Sequence, residues 1–405
     1  ASPRKRSRTP CRESSLDSKR TTSVWKIYAE EGMSYAKKPV GGIMGPDQKG
    51  ASCGARPFGA EQGGGSMQHE ITHAIPLLDE RGNLTEPGWA RRLLPVYDRA
   101  RVKGGPTGCR EWDDYLVMGP GFALALTIAD HFYLGLDSIS LLDFREGWQM
   151  TRCPRRPFPM GRTGLPVTSE RGNAAVSGRG YGILFHNDGL NRTLTAHMDA
   201  FREGAALDAH IVLRDEPEES MVLSVPFDRP GQFYFSQKIH GMRADGTVQL
   251  GTRRYDFHLG DSFGILDWGR GVWTCRDTWH RASAAGLLGG TPFGFHLGRG
   301  LGDACTATEN ILFYQGRGHK LSRVDFRIPQ RGGRDDFRSP WVLASDDGRF
   351  EAVFRPMPAR AGAEVVRPDH HQVFGVFTGA AVLDGGERLE FRDLMGLAEK
   401  VENKW

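Results

Sequence analysis

The chain from residue 67 onward consists of short apolar or alternating runs that are separated by glycine, aspartate and asparagine. Residues 122–128, 131–142, 182–185, 209–213 and 220–225 have the length and the residue pattern of β-strands. The Asp-Gly and Asn-Asp-Gly steps between such runs supply the positive φ that tight turns require. Many short strands with glycine-rich turns predict an all-β sandwich or barrel, not alternating β and α elements.

Two hairpins are predicted where a turn sequence lies between two such runs. One joins residues 238–243 to residues 247–257, and the other joins residues 372–382 to residues 387–391. Each hairpin places its two strands side by side and antiparallel.

Helical spacing of apolar residues occurs mainly at the end of the chain, from 392 to about 401, with a second candidate at 194–203. A single barrel of roughly eight to ten strands cannot use the whole length after the leader. We therefore expect two β units, 67–240 and 241–405. The predicted fold class is mainly β, with two antiparallel β-barrel or sandwich units packed together and a short C-terminal helix.

Residues 1–66 differ in composition from the rest of the chain. They carry 12 basic and 6 acidic side chains, contain few apolar residues and end in three glycines and a serine. Such a segment cannot bury enough apolar surface to offset its loss of chain entropy, so we interpret it as a disordered leader that is not native. A basic targeting arm is the alternative interpretation.

The remaining residues carry 41 basic and 43 acidic side chains, so the body of the protein is nearly neutral. This balance gives no electrostatic support for nucleic-acid binding. No apolar run reaches the roughly 18 residues of a membrane span, and no secretory signal is evident. The six cysteines form no C-x-x-C pair. The sequence predicts a cytoplasmic protein with reduced thiols that acts on a small molecule and binds neither nucleic acid nor membrane.

The stretch His69-Glu70-Ile71-Thr72-His73 matches the zinc-binding pattern H-E-x-x-H. On a helix, the two histidines of that pattern share one face. Here β-branched residues lie between them and Pro76 follows, which disfavours a helix. In a strand the two histidines would be about 13 Å apart, too far to share one ion. The sequence therefore predicts no metal site, and no other motif indicates a cofactor.

The densest group of aromatic and polar residues is the stretch 261–273, which contains two tryptophans. If this stretch is a strand, Asp267 shares one face with Phe263 and Ile265. A carboxyl group on an apolar inward face has a raised pKa, which suits a general acid. The alternative is a surface pair of Asp267 with Arg270 at a turn, with the tryptophans in the core.

A second polar cluster lies in residues 294–310. Its glycines do not form a dinucleotide-binding loop, because no β–α unit surrounds them. His296 and Gly298 would share one face of a strand, and Glu309 and Asp303 could add carboxylates to the same pocket. The alternative is a glycine-rich strand and loop packed closely on a neighbouring sheet.

These patterns define a set of candidate site residues. Asp267 is the expected acid, and Glu309 or Asp303 is the expected base or nucleophile. The expected substrate-binding residues are the aromatic and polar side chains of the same and similar clusters: Trp268, Arg270, Trp273, Trp279, His280, His296 and Asp143.

Several stretches closely resemble a bacterial family known only as the domain of unknown function 2804 family. They are residues 67–72, 76–84, 88–91, 141–146 and 266–273. The resemblance extends over about 68–400. The family pattern needs no second histidine in the first stretch, which further weakens a zinc site at His73. The family name implies no activity.

Asp267-Trp268-Gly269 is similar to a motif of the carotenoid-hydratase and lipocalin-like superfamily. That resemblance implies two lipocalin-like β units packed together, with an aspartate beside a tryptophan that protonates an isoprenoid double bond. This chain departs from the pattern because Arg270, His296, Glu309 and other polar groups are too many for a polyene tunnel. The resemblance supports the fold and an acidic Asp267 more than it supports a substrate.

Three functions are consistent with these residues. The first is a cofactor-independent enzyme with carboxylate acid and base chemistry at a C–O bond of a small polar ring. It would resemble a glycosidase, because tryptophan faces bind sugar rings and charged groups bind hydroxyls. The second, implied by the superfamily resemblance, is a hydratase or cyclase of an isoprenoid-type alkene. The third is a non-catalytic, lipocalin-like binder of a small ligand. The sequence favours the first.

Overall fold

The computed structural model describes residues 68–103, 108–273, 276–357, 364–366 and 370–404. The proposed leader, residues 1–66, lies outside the described residues, as do Cys11, Cys53 and Cys275. The described cysteines are free thiols: Cys109, Cys153 and Cys305.

The first part of the chain forms sixteen strands. They are β1 (Ile75–Pro76), β2 (Gly88–Ala90), β3 (Pro95–Val96), β4 (Cys109–Gly119), β5 (Phe122–Asp130), β6 (Leu134–Asp143), β7 (Trp148–Arg152), β8 (Arg155–Pro157), β9 (Gly172–Gly178), β10 (Tyr181–Asn187), β11 (Arg192–Arg202), β12 (Ala205–Arg214), β13 (Met221–Pro226), β14 (Phe233–Leu250), β15 (Arg253–Phe257) and β16 (Phe263–Val272).

The second part forms twelve strands. They are β17 (Arg276–Leu288), β18 (Thr291–Arg299), β19 (Ile311–Tyr314), β20 (Arg317–Lys320), β21 (Val324–Arg327), β22 (Gln330–Arg331), β23 (Arg334–Asp335), β24 (Trp341–Ser345), β25 (Phe350–Pro356), β26 (Glu364–Val366), β27 (His370–Val382) and β28 (Arg388–Lys404).

Two large antiparallel sheets contain most of these strands. The first sheet has 14 strands, with the central order β7-β6-β5-β4-β16-β14-β12-β11-β10-β9. The second has 10 strands, with the order β20-β19-β18-β17-β28-β27-β25-β24-β21. The short strands β1 and β3 pair in parallel, and β22 pairs with β23. The fold is mainly β, as predicted, with two antiparallel β units packed together.

The first predicted hairpin is wrong, because residues 233–250 form the single long strand β14. A β-bulge at Gly241, where φ is +83°, shifts the register of β14 against β16 and changes which face alternate residues occupy. Gly246 lies within β14 and not in a turn. The expected division at 240/241 therefore falls inside a strand, and the chain passes from the first sheet to the second between Val272 and Arg276. The second predicted hairpin is confirmed as β27 and β28.

Both predicted helices are wrong. Residues 194–203 lie mostly in β11, and residues 392–401 lie in β28. The one helical element among the described residues is a 3₁₀ turn at Arg99–Arg101, and none of their helices has the length and apolar character needed to cross a membrane.

Each unit has its own apolar core, and the two sheets also pack against each other. Strands β14 and β16 of the first sheet lie against β17 and β18 of the second. A separate apolar cluster joins the facing surfaces of the sheets: Leu116, Ala125, Phe263, Ile265, Ala285, Phe374 and Leu397. Phe263 and Ile265 therefore face the second sheet, whereas Leu266 and Trp268 belong to the core of the first unit. This alternation is the one predicted for the strand around Asp267.

Candidate functional site

A cavity lies between the two sheets. We call it the central cavity. Its apolar lining is Leu116, Ala125, Leu142, Ile265, Phe374 and Leu397. Its polar lining is Asp114, Ser140, Gln149, Thr151, Lys238, His240, Asp267, Arg281, Ser283, His296 and Gln372. A cavity with apolar walls and convergent polar groups is typical of a small-molecule site.

Strand alternation explains why polar groups converge on the central cavity. Lys238 and His240 are two residues apart on β14, and Arg281 and Ser283 are two residues apart on β17. Residues at alternate positions of a strand project from the same face of the sheet. Each pair therefore faces the opposite sheet, while Ile239 and Ala282 point into the cores of their own units.

Asp267 lies at the centre of a buried cluster of charges. It accepts hydrogen bonds from Lys238 Nζ and Arg281, and its Oδ1 accepts a third from Trp112 Nε1 at 3.0 Å. Arg281 Nε also donates to Glu399 Oε1 at 2.8 Å. Each of these charged side chains is less than 10% exposed. Two cations and two carboxylates thus balance one another away from solvent.

The expectation of a raised pKa at Asp267 is wrong. Burial by itself would raise the pKa, but the charges of Lys238 and Arg281 outweigh burial and hold it well below its ordinary value. Asp267 also does not pair with Arg270, so the alternative of a surface pair at a turn is wrong as well. An ionised carboxylate of this kind has no proton to donate near neutral pH.

Asp114 is the carboxyl group in the central cavity that can hold a proton. It lies on β4 directly opposite Asp267 on β16, and its Oδ1 accepts a hydrogen bond from Thr127 Oγ1 at 2.7 Å. Burial and the negative charge of Asp267 together raise the pKa of Asp114 to about 7. Two adjacent carboxyl groups cannot both ionise easily, so one retains the proton.

Gly269 allows Trp112 to reach Asp267. Trp112 is the register partner of Gly269, and a Cβ atom at position 269 would lie 1.9 Å from the indole ring. The ring therefore lies directly over the glycine, with its N–H directed at the carboxylate of Asp267. A glycine in a strand interior often marks such a close approach.

An aromatic chamber lies on the other side of Asp267 and Arg281. Trp112, Tyr234, Trp273 and Trp279 line it, together with Arg110, His131 and Leu301. The structure therefore places Trp273 and Trp279 near Asp267. Asp267 and Arg281 lie in the walls of both spaces, so the ion pair separates the central cavity from the aromatic chamber.

His296 lines the central cavity, with Glu309 beside it. His296 Nε2 lies 3.2 Å from Glu309 Oε2, and His296 Nδ1 lies 2.9 Å from Ser283 Oγ. Gly298 makes room for Glu309, because a Cβ atom there would lie 1.9 Å from Glu309 Oε1. His296 and Gly298 share a face of β18, as the alternation in the sequence indicates. Glu309 itself lines a separate cleft in the second part of the chain.

Two of the expected substrate-binding residues lie inside the first unit. Trp268 is buried on the opposite face of β16 from Asp267, where its ring packs edge-on against Phe235. Arg270 lies beneath Trp268 and donates to Asp113 Oδ1 at 3.0 Å. Neither side chain lines the central cavity or the aromatic chamber.

Three other candidates also lie away from the central cavity. Asp143 ends β6, where its carboxylate accepts the backbone N–H groups of residues 145 and 146. Asp303 is exposed and accepts the N–H of Cys305 at 2.9 Å, which is a turn contact. His280 packs against Phe326, and burial lowers its pKa to about 4.

The H-E-x-x-H stretch is not helical. His69 Nε2 lies 2.6 Å from Glu86 Oε1, and His73 Nε2 lies 3.7 Å from the other oxygen of the same carboxylate. Glu70 pairs with Arg91 at 3.0 Å. In the described part of the chain, no three histidine, cysteine, aspartate or glutamate side chains gather in a way that could hold a metal ion.

Several residues of the central cavity are absent from the sequence-based predictions: Asp114, Lys238, His240, Arg281 as a partner of Asp267, and Ser283. One signal was present, because Asp114 and Lys238 are charged residues in strands that also carry apolar runs, at 115–118 in β4 and 233–235 in β14. A charge in such a position is seldom buried without a partner. The identity of the partner depends on strand register, which the local pattern does not contain.

Comparison with known proteins identifies a family for this chain. A family described as a domain of unknown function (DUF2804) matches residues 68–405. No curated protein sequence matches the chain.

Several solved structures are partly similar to this chain. Kievitone hydratase from Nectria haematococca is 11% identical, with a TM-score of 0.44 over 82% of this chain and 99% of that one. A putative AttH from Nitrosomonas europaea is 13% identical, with a TM-score of 0.43 over 73% of this chain and 92% of that one. CghA is 14% identical, with a TM-score of 0.42 over 83% of this chain and 97% of that one.

Proposed function

The chain belongs to the family described as a domain of unknown function (DUF2804), and because that description assigns no activity, we propose a function from the central cavity. The proposed function is that of a cofactor-independent hydratase or cyclase of a small, largely apolar alkene. Asp114 transfers a proton to the double bond. The observation that supports this proposal is the buried carboxyl group of Asp114, which lines the cavity with a pKa of about 7.

Proton transfer from Asp114 to an alkene carbon leaves positive charge on the neighbouring carbon. The ionised carboxylate of Asp267, on the adjacent strand, is positioned to stabilise that charge, and the apolar wall excludes competing solvent. In hydration, water then attacks the cationic carbon and returns its proton to the carboxylate of Asp114. In cyclisation, a second double bond of the substrate attacks instead, and the new carbocation then loses a proton to the carboxylate of Asp114. A general acid works best when its pKa is close to the operating pH, as that of Asp114 is.

Lys238 and Arg281 have an indirect role in this proposal. They hold Asp267 ionised, and the ionised Asp267 in turn favours the protonated form of Asp114. The cluster therefore separates the roles of two neighbouring carboxyl groups. One holds a transferable proton and the other holds a fixed negative charge.

The glycosidase-like alternative has less support from this geometry. Glycosidases place two carboxyl groups on either side of the scissile bond. Asp114 and Asp267 instead lie side by side on paired strands of one sheet, and Asp303 is in an exposed turn. Glu309 contacts His296 behind the cavity wall. The cavity lining thus favours the alkene alternative.

The proposal can be tested by incubating the protein in D₂O with short isoprenoid alkenols, prenylated phenols and α,β-unsaturated acids. Asp114 exchanges its proton with solvent, so the expected product carries deuterium on carbon, detected by mass spectrometry. The Asp114→Asn variant is expected to lose this incorporation. The matched control is Asp245→Asn, the same change at an exposed position of β14.

Three results would contradict the proposal. One is incorporation that persists in the Asp114→Asn variant, which would place the acid elsewhere. Another is ligand binding, seen as a rise in melting temperature, without conversion of any compound, which would favour a binding protein. The third is release of a sugar from aryl glycosides without deuterium on carbon, which would favour the glycosidase-like alternative.

A further inference from the structure

A second chemically distinctive group lies in the second-sheet wall of the central cavity. Ser283 on β17 and His296 on β18 are register partners, and Ser283 Oγ lies 2.9 Å from His296 Nδ1. Glu309 lies 3.2 Å from the other ring nitrogen. All three side chains are at most 5% exposed. A serine, a histidine and a carboxylate in this order form the arrangement that activates a serine hydroxyl as a nucleophile.

The charge states of these groups suit that chemistry. Burial lowers the pKa of His296 in spite of the neighbouring Glu309, so the imidazole is neutral at pH 7. Burial raises the pKa of Glu309, but His296, Lys238 and Arg281 outweigh burial and keep it ionised. In the tautomer with the ring proton on Nε2, that proton faces the ionised Glu309. His296 Nδ1 is then the acceptor of the Ser283 hydroxyl proton.

Gly298 on β18 leaves the space in which Glu309 contacts His296. A cross-strand hydrogen bond between Ser283 and His296 would need no third residue. Glu309 nevertheless approaches the ring over Gly298, where any larger residue would displace it. The carboxylate is thus held on the side of the ring opposite the serine, where it stabilises an imidazolium.

We propose that Ser283, His296 and Glu309 form a nucleophilic centre that cleaves small carboxylic esters in the central cavity, an activity separate from the proposed chemistry of Asp114. Ser283 Oγ bonds to the ester carbonyl carbon while His296 takes the hydroxyl proton. The C–O bond to the alcohol then breaks, and the alcohol leaves with that proton. Water next gives a proton to His296 and its oxygen to the acyl carbon. The bond between Ser283 Oγ and the acyl carbon then breaks, and Ser283 recovers its proton from His296. Ester and water thus become acid and alcohol.

His240 is placed to bind the carbonyl oxygen of such an ester. It lines the same cavity, is 2% exposed, and its ring centroid lies 5.5 Å from that of His296. Neither ring nitrogen of His240 has a hydrogen-bond partner of good geometry among the described residues. Burial and the neighbouring His296 lower the pKa of His240, while the Ala284 backbone opposes them, and the ring stays neutral. A neutral imidazole N–H can donate to a developing oxyanion.

The centre can be tested with diisopropyl fluorophosphate, a small reagent for activated serines. Intact-mass measurement and peptide mapping are expected to show one label per chain, on Ser283. The His296→Gln variant should be labelled about 10²–10⁴-fold more slowly, which is the usual contribution of a general base. The matched control is Ser177→Ala, because Ser177 is exposed on β9 and does not line the central cavity. Labelling of Ser283 in that variant should be unchanged.

A Ser283→Cys variant keeps the proposal testable if other changes impair folding. Its thiol is expected to react with iodoacetamide with a pH midpoint below that of an ordinary cysteine, and Glu309→Gln should raise that midpoint. Absence of label on Ser283 in the folded wild-type protein would overturn the proposal, as would equal labelling of wild type and His296→Gln. Neither result depends on alkene conversion, so this proposal and the function proposed for Asp114 can fail separately.

Discussion

Replacing Asp267 with asparagine is expected to lower the free energy of unfolding by about 3–5 kcal/mol at pH 7. The substitution removes the charge that Lys238 and Arg281 share, while both cations remain buried. An uncompensated buried charge costs far more than the amide regains through its hydrogen bonds. The measurement is denaturant unfolding monitored by tryptophan fluorescence. Asp245→Asn, at an exposed position, should stay within about 0.5 kcal/mol of wild type.

A double variant separates loss of charge balance from loss of shape. In Lys238→Met/Asp267→Asn, one cation leaves together with the carboxylate, and Arg281 keeps its partner Glu399. The double variant should therefore be more stable than Asp267→Asn alone. Equal or lower stability, or a loss below about 1 kcal/mol in the single variant, would show that the buried ion pair does not stabilise the fold as described. If Asp267 were protonated, as the sequence predicts, replacing it with asparagine would change the free energy of unfolding little. The ion pairs with Lys238 and Arg281 reverse that expectation.

Replacing Asp114 with asparagine is expected to reduce alkene conversion by about 10²–10⁴-fold while leaving the protein folded. The amide has the shape of the protonated carboxyl group and can still accept from Thr127, but it has no proton of suitable acidity to transfer. The measurement is kcat on the compound that gives deuterium incorporation. Full activity in Asp114→Asn would contradict the assignment.

The same variant should gain stability, relative to wild type, as the pH rises. In wild type the folded state holds a proton on Asp114 up to a pH of about 7, whereas the unfolded chain releases it near 3.8. The folded state therefore binds more protons between these values, and wild-type stability falls as pH rises through this window. Raising a pKa from 3.8 to about 7 corresponds to about 4 kcal/mol.

Asparagine at position 114 does not titrate, so the free energy of unfolding of the variant relative to wild type should rise from pH 4 to pH 7 and then level off. Urea unfolding at several pH values measures this difference. A difference that stays constant with pH would show that Asp114 has an ordinary pKa in the folded protein.

The sequence predicts the strand content well because alternation and Asp-Gly turns are local signals. The two wrong helices share one cause. In β11 the register shifts between Met198 and Arg202, and in β28 it shifts near Asp393, where φ is +53°. Each irregularity changes whether the even-numbered or the odd-numbered residues of the strand are buried. The spacing of the apolar residues across it therefore imitates the three-to-four periodicity of a helix. In β28 both faces are also buried, because Leu394 and Leu397 pack into different clusters.

The candidate site was predictable only in its local part. Alternation correctly places Asp267 on the face of Phe263 and Ile265, and it places His296 and Gly298 together. The pKa of Asp267 was not predictable, because Lys238 and Arg281 reach it from other strands. Asp114 was missed for the same reason. Its effect on the chemistry depends on the register of β4 against β16, which the pattern of either strand alone does not contain.

The central claim is that Asp114 holds a proton near neutral pH beside an ionised Asp267. Carbon-13 NMR of the carboxyl carbons in protein labelled at aspartate measures this directly, with Asp114→Asn to assign the signal. The account predicts one buried aspartate signal that titrates with a midpoint of about 7 and disappears in the variant, while Asp267 stays ionised from pH 5 upward. A midpoint for Asp114 near the ordinary 3.8, or a near-neutral titration that persists in Asp114→Asn, would contradict it.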